Sequence, residues 1–113
     1  MSKGVDIRQL EPLTTMILET ESSIYHIELF DPATGEVTIV GGAIFPEPTV
    51  AYIEGSCEIR EAMDEKWLSK GLSMVIKFKT GKQRKYRIIK TEPMIALRLT
   101  APDDTWSFNM WEK

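Results

Sequence analysis

GLSMVIKFKTGKQRKYRIIKT, residues 71–91, decides the fold class. Leu72, Met74, Ile76 and Phe78 recur at every second position, the period of a strand with one buried face. Thr80-Gly81-Lys82-Gln83 supplies a turn, after which Tyr86 and Ile88 resume an apolar alternation. The stretch is therefore a β-hairpin, and its spacing assigns Tyr86 and Ile88 to the interior along with Phe78. The opposite, wet face then collects Lys77, Lys79, Lys85 and Arg87, with Lys82 and Arg84 at the tip and Lys90 beyond. Residues 77–90 hold seven of the fourteen basic residues and no acid.

The charge of the rest runs the other way. Before Lys77 there are thirteen acids and five bases, a balance of −8, and the whole chain carries −3. An acidic domain with one basic ribbon differs from a nucleic-acid binder whose entire domain is basic. Cations on alternate strand positions stand about 6–7 Å apart, close enough to phosphate spacing for a backbone to track across them.

N-terminal to the hairpin, residues 1–13 read as a flexible lead, and residues 14–113 as a single domain. TTMILET (14–20) is β-prone. Tyr25, Ile27 and Leu29 share one strand face and His26, Glu28 and Phe30 the other. Asp31-Pro32-Ala33-Thr34-Gly35-Glu36 is the clearest turn, since Asp accepts backbone bonds, Pro presets φ and Gly permits positive φ. It joins this strand to Val37–Val40, which ends at Gly41-Gly42. Pro46 and Pro48 lack N–H groups, so Phe45–Thr49 is expected as an extended connector outside the sheet. Strand character resumes at Val50–Ile53. Residues 58–68, EIREAMDEKWL, predict a short helix capped by Ser56, because Ile59, Ala62 or Met63, and Trp67 follow helical spacing.

Beyond the hairpin, Glu92-Pro93 breaks the chain, Ile95, Leu97 and Leu99 alternate, and Ala101-Pro102-Asp103-Asp104 turns. The tail places Trp106, Phe108 and Met110 on one side of a last strand, with Trp111 offset. That strand either completes the sheet, its rings filling the interior, or pairs with a neighbouring subunit. The count is six to seven strands with one helical insert, without β–helix–β periodicity. The expected architecture is mainly β: a small antiparallel barrel or rolled sheet.

The run GGAIFPEPTVAYIEGS, with the turn DPATGEV before it, resembles a group of small uncharacterised bacterial β-rich proteins with a GG-x-x-FPE-x-T segment. Gly41, Gly42, Phe45, Pro46, Glu47, Thr49, Gly55, Ser56 and Gly71 carry the resemblance, over roughly residues 24–80. It implies no activity.

Catalytic chemistry finds little footing. His26 is the sole histidine, so any nucleophile–base pair must use it. HExxH, paired cysteines and GxxxxGK[ST] spacing are absent, which argues against a transition-metal or nucleotide site. Cys57 is the only cysteine, and no stretch of about eighteen apolar residues occurs. The reading is a cytoplasmic, non-enzymatic interaction module with no cofactor and no metal. Its contacts are protein–protein, with an acidic partner or a second copy in a homo-oligomer. They are made through Lys77, Lys79, Lys82, Arg84, Lys85 and Arg87 and through the interface candidates Trp106, Phe108, Met110 and Trp111. The alternative is nucleic-acid backbone binding by the 77–90 ribbon.

Overall fold

The computed structural model describes residues 4–58, 62–80 and 85–112, which form eleven strands and one short 3-10 turn. In chain order they are β1 (Gly4–Asp6), the 3-10 turn (Ile7–Gln9), β2 (Thr15–Glu19), β3 (Ile24–Asp31), β4 (Glu36–Gly41) and β5 (Phe45–Cys57). There follow β6 (Asp64–Glu65), β7 (Trp67–Ser69), β8 (Ser73–Thr80), β9 (Lys85–Pro93), β10 (Ala96–Thr100) and β11 (Ser107–Trp111). Neighbours pair antiparallel in the order β11-β10-β2-β3-β4-β5-β8-β9, β6 pairs β5, and β1 pairs β7 in a small second sheet.

Strict alternation builds one core on the inner face. Met16 and Leu18, Ile27 and Leu29, Val37 and Ile39, Ala51 and Ile53, Met74 and Ile76, and Leu97 and Leu99 are all buried there. Most of their sequence neighbours face out, with Val75 of β8 buried as well. The expected barrel is not formed: the hydrogen-bonded path ends at β11 on one side and β9 on the other, and these two do not pair. The fold is an open antiparallel sheet, with more strands than the six or seven expected. The chain crosses from β9 to β10 through Met94 and Ile95. Gly71 N–H donates to Met94 O, Met94 N–H to Leu72 O and Ile95 N–H to Glu19 O, each at 2.8 Å. A crossing chain satisfies its backbone groups singly and adds no continuous ladder to the sheet.

The turn at 31–36 forms as its residues require. Ala33 N–H donates to Asp31 Oδ1 at 3.0 Å, Gly35 N–H donates to Asp31 O at 2.9 Å, and Gly35 takes φ 80°. The proline segment is a strand after all. Phe45–Cys57 is continuous, but only residues 51–57 pair with β8, so residues 45–50 have no partner on that side among the described residues. Pro46 and Pro48 sit in that edge portion, the place a strand tolerates them.

Two expectations fail for tertiary reasons. The lead is built into the fold from Gly4 onward: β1 pairs β7, Ile7 is fully buried, and its N–H donates to Lys66 O at 3.0 Å. The helix over 58–68 is absent in its described part, residues 59–61 lying outside the described residues. Asp64–Glu65 and Trp67–Ser69 are strands, and between them Lys66 adopts φ 57°, incompatible with a right-handed helix. Ser56 does not cap a helix. It is buried in β5 and its hydroxyl donates to Trp67 O.

Candidate interaction surface

Directly opposed residues in an antiparallel pair share a face, so register decides which side chains meet. In β8–β9, Lys77 opposes Ile88, Lys79 opposes Tyr86, Phe78 opposes Arg87, and Thr80 opposes Lys85. Lys77 and Lys79 are thus on the outer face with Tyr86 and Ile88, whereas Lys85 and Arg87 are on the Phe78 side. This corrects the expectation of four cations on one face. It equally corrects the inward placement of Tyr86 and Ile88, which are 49% and 63% exposed. Lys82 and Arg84 lie outside the described residues. The inner side of β9 is instead occupied by Ile89, packed on the core, and by buried Thr91, whose hydroxyl accepts the Met74 N–H at 3.0 Å.

The outer face gains from the correction. Tyr52 on β5 opposes Lys77, and its ring meets Tyr86 edge-on at 6.5 Å between centroids. The Lys77 ammonium sits between them, 5.5 Å from the Tyr52 centroid and 4.8 Å from that of Tyr86, and Lys79 lies 5.3 Å from Tyr86. Such placement over ring faces is attractive and holds the cations in place. Val50, 59% exposed, and Ile88 extend the patch with aliphatic surface. Exposed aliphatic and aromatic side chains interleaved with cations make a surface suited to a partner combining apolar and acidic groups.

Glu54 anchors the patch from beneath. Its carboxylate binds Lys77 Nζ at 3.1 Å and Lys66 Nζ at 3.3 Å. Burial pushes this carboxyl up, but the hydrogen bonds from Lys77 and Lys66 outweigh it and hold the group below its ordinary value. The same hydrogen bond raises Lys77. Val50, Tyr52 and Glu54 were missed in sequence as members of a site. Their signal was the alternation against Ala51 and Ile53, blurred because Val-Ala-Tyr-Ile is apolar throughout.

The aromatic tail does not act as a unit. β11 pairs β10 within the chain, and a register shift opposite Leu97–Arg98 separates its two halves. Trp111 turns into the core, Met110 packs partly against it, and Trp106 and Phe108 stay outside, 37% and 50% exposed, with ring centroids 5.5 Å apart.

Elsewhere, His26 and Glu28 line a shallow outer-face depression of about 270 Å³ with Thr38, Val40 and Pro48, on a different part of the sheet from buried Cys57. Among the described residues no group of three or more His, Cys, Asp or Glu side chains is placed to hold a metal ion, and no helix is long and apolar enough to cross a membrane. Compared with known proteins, the chain matches no family model, no curated protein and no solved structure.

Proposed function

We propose that the protein is a non-enzymatic binding module that takes an acidic protein partner on the outer face of β5, β8 and β9. The observation that carries this is the exposed pair Tyr86 and Ile88 set against Lys77 and Lys79, with Tyr52 and Val50 continuing it. Tyrosines with apolar neighbours supply contact area, and flanking cations steer an acidic partner and reject basic ones. A buried, unpaired Cys57 supports a reducing compartment, and the reading places this binding in the cytoplasm.

The test is calorimetric titration with a synthetic peptide of alternating glutamate and leucine at low salt. Binding is expected, weakened at least about tenfold by Lys79→Glu and several-fold by Tyr86→Ala, tenfold being about 1.4 kcal/mol. A wild-type protein that ignores the peptide at about 0.1 mM, or variants that bind as well as wild type, removes the reading.

A second reading is favoured by one observation, the outward Tyr86 beside two lysines. Aromatic platforms flanked by cations stack single-stranded bases at about 1–3 kcal/mol per base. Mobility of a short oligothymidylate at low salt separates the two. Retardation that falls steeply with salt and with Tyr86→Ala, in a protein indifferent to the peptide, selects nucleic acid.

A further inference from the structure

An open sheet leaves two free edges, and here they differ in kind. The β9 edge carries Lys85, Arg87 and Lys90 and ends at Pro93, residues that deter strand addition. The β11 edge reads Ser107-Phe108-Asn109-Met110-Trp111, without a charge or a proline. Among the described residues no strand pairs β11 on its far side.

The phase of that edge follows from one bond. Ala101 N–H donates to Trp106 O at 2.9 Å, and hydrogen-bonded pairs alternate along an antiparallel ladder. Trp106 and Phe108 therefore turn their main-chain groups toward β10, and Ser107 and Asn109 turn theirs to the open side. The side chains of these two residues are engaged elsewhere. Ser107 Oγ accepts from Arg98 Nε at 2.9 Å, and Asn109 Nδ2 donates to Glu112 Oε1 at 2.6 Å.

We propose that β11 is a self-recognition edge, pairing antiparallel with β11 of a second copy about a twofold axis at Phe108. In this register Ser107 of each copy opposes Asn109 of the other, and their outward N–H and C=O groups form about four main-chain hydrogen bonds. Phe108 meets its own counterpart at the closer, non-hydrogen-bonded spacing, and Trp106 faces Met110. Aromatic cross-strand pairs are among those that stabilise an antiparallel ladder. The strand's lack of charge is what makes a second copy the fitting occupant, because no like charges within β11 oppose each other across the axis. The register shift near Asn109 limits the paired stretch, which makes the association weak and concentration-dependent. It is independent of the outer-face reading, since Tyr86 and Lys79 take no part.

Sedimentation equilibrium of the full chain from about 5 to about 300 μM, with amide hydrogen exchange at both ends of that range, tests it. The expected result is a monomer–dimer equilibrium in which Ser107 and Asn109 amides gain protection with concentration and the Phe108 amide, already bonded to β10, does not. Phe108→Lys sets two ammonium groups against each other and should weaken dimerisation at least about tenfold. Asn109→Pro removes an outward N–H and should do the same. Lys79→Glu should leave the dimer intact. A monomer at every concentration overturns the proposal. So does a dimer untouched by both β11 variants, or one abolished by Lys79→Glu.

Discussion

Gly55→Ala is expected to lose on the order of 3–5 kcal/mol of stability, a large share of the roughly 5–15 kcal/mol that holds an ordinary domain folded. Gly55 has φ 150°, a conformation nearly closed to residues with a Cβ. A Cβ there would lie 2.1 Å from Asp64 O and 3.0 Å from Lys66 N, both backbone atoms. Neither can move alone, because β6 is paired to β5 at this point and Lys66 N–H donates to Glu54 O at 2.8 Å. Relief of the clash must displace the β6–β7 corner and with it the ion pair between Lys66 and Glu54. Gly71→Ala is the matched control. Its φ of 89° carries a similar conformational penalty, but among the described residues beyond its chain neighbours no atom lies within 4 Å of the added carbon. It should lose only about 1–2 kcal/mol. Urea unfolding followed by tryptophan fluorescence compares the two, and equal midpoint shifts would refute the close-approach account.

Local chemistry made the elements legible in sequence, and it failed wherever a long-range partner made the decision. Met74, Ile76 and Phe78 announced a strand and its buried face, and Asp31 to Gly35 announced a turn, because each signal lies within a few residues. The β8–β9 register was not legible. Placing Tyr86 on the side of Phe78 needs an even sum of opposed residue numbers, and the observed pairing of Phe78 with Arg87 is odd. One residue of slip moves every side chain of β9 to the other face, so a basic ribbon on one face became an aromatic and cationic patch with two cations behind it. Of the four described cations assigned to one face, Lys85 and Arg87 lie on the other.

The helix expectation shows the same limit. Ile59, Ala62 or Met63, and Trp67 have helical spacing, yet β5 offers Glu54 O to Lys66 N–H and β1 offers its ladder to β7. Two sets of non-local hydrogen bonds outweigh a weak helical preference in a segment this short. The absence of barrel closure was likewise invisible. It depends on whether β9 and β11 meet, a relation between the two ends of the sheet that no window of sequence contains.

The Glu54 network predicts an asymmetry between its members. Lys66 is 7% exposed, so its ammonium depends on Glu54, whereas Glu54 keeps Lys77 if Lys66 is removed. Glu54→Ala leaves a buried cation without its acid and should lose about 3 kcal/mol. Lys66→Met retains the aliphatic stem, which passes close over Gly35, and leaves Glu54 paired with Lys77 at the surface. Its expected effect is within about 1 kcal/mol of wild type. Acid sensitivity follows from the same carboxylate. Because the folded Glu54 titrates below an unfolded carboxyl, near about 4.3, its contribution is complete above that value and is lost as pH falls through the lower folded one. Glu54→Gln should therefore flatten the acid limb of the stability curve, losing less than wild type between about pH 7 and pH 3 in urea midpoints. Identical losses in the two proteins, or a Lys66→Met variant as damaged as Glu54→Ala, would show that the pair does not hold this corner of the sheet.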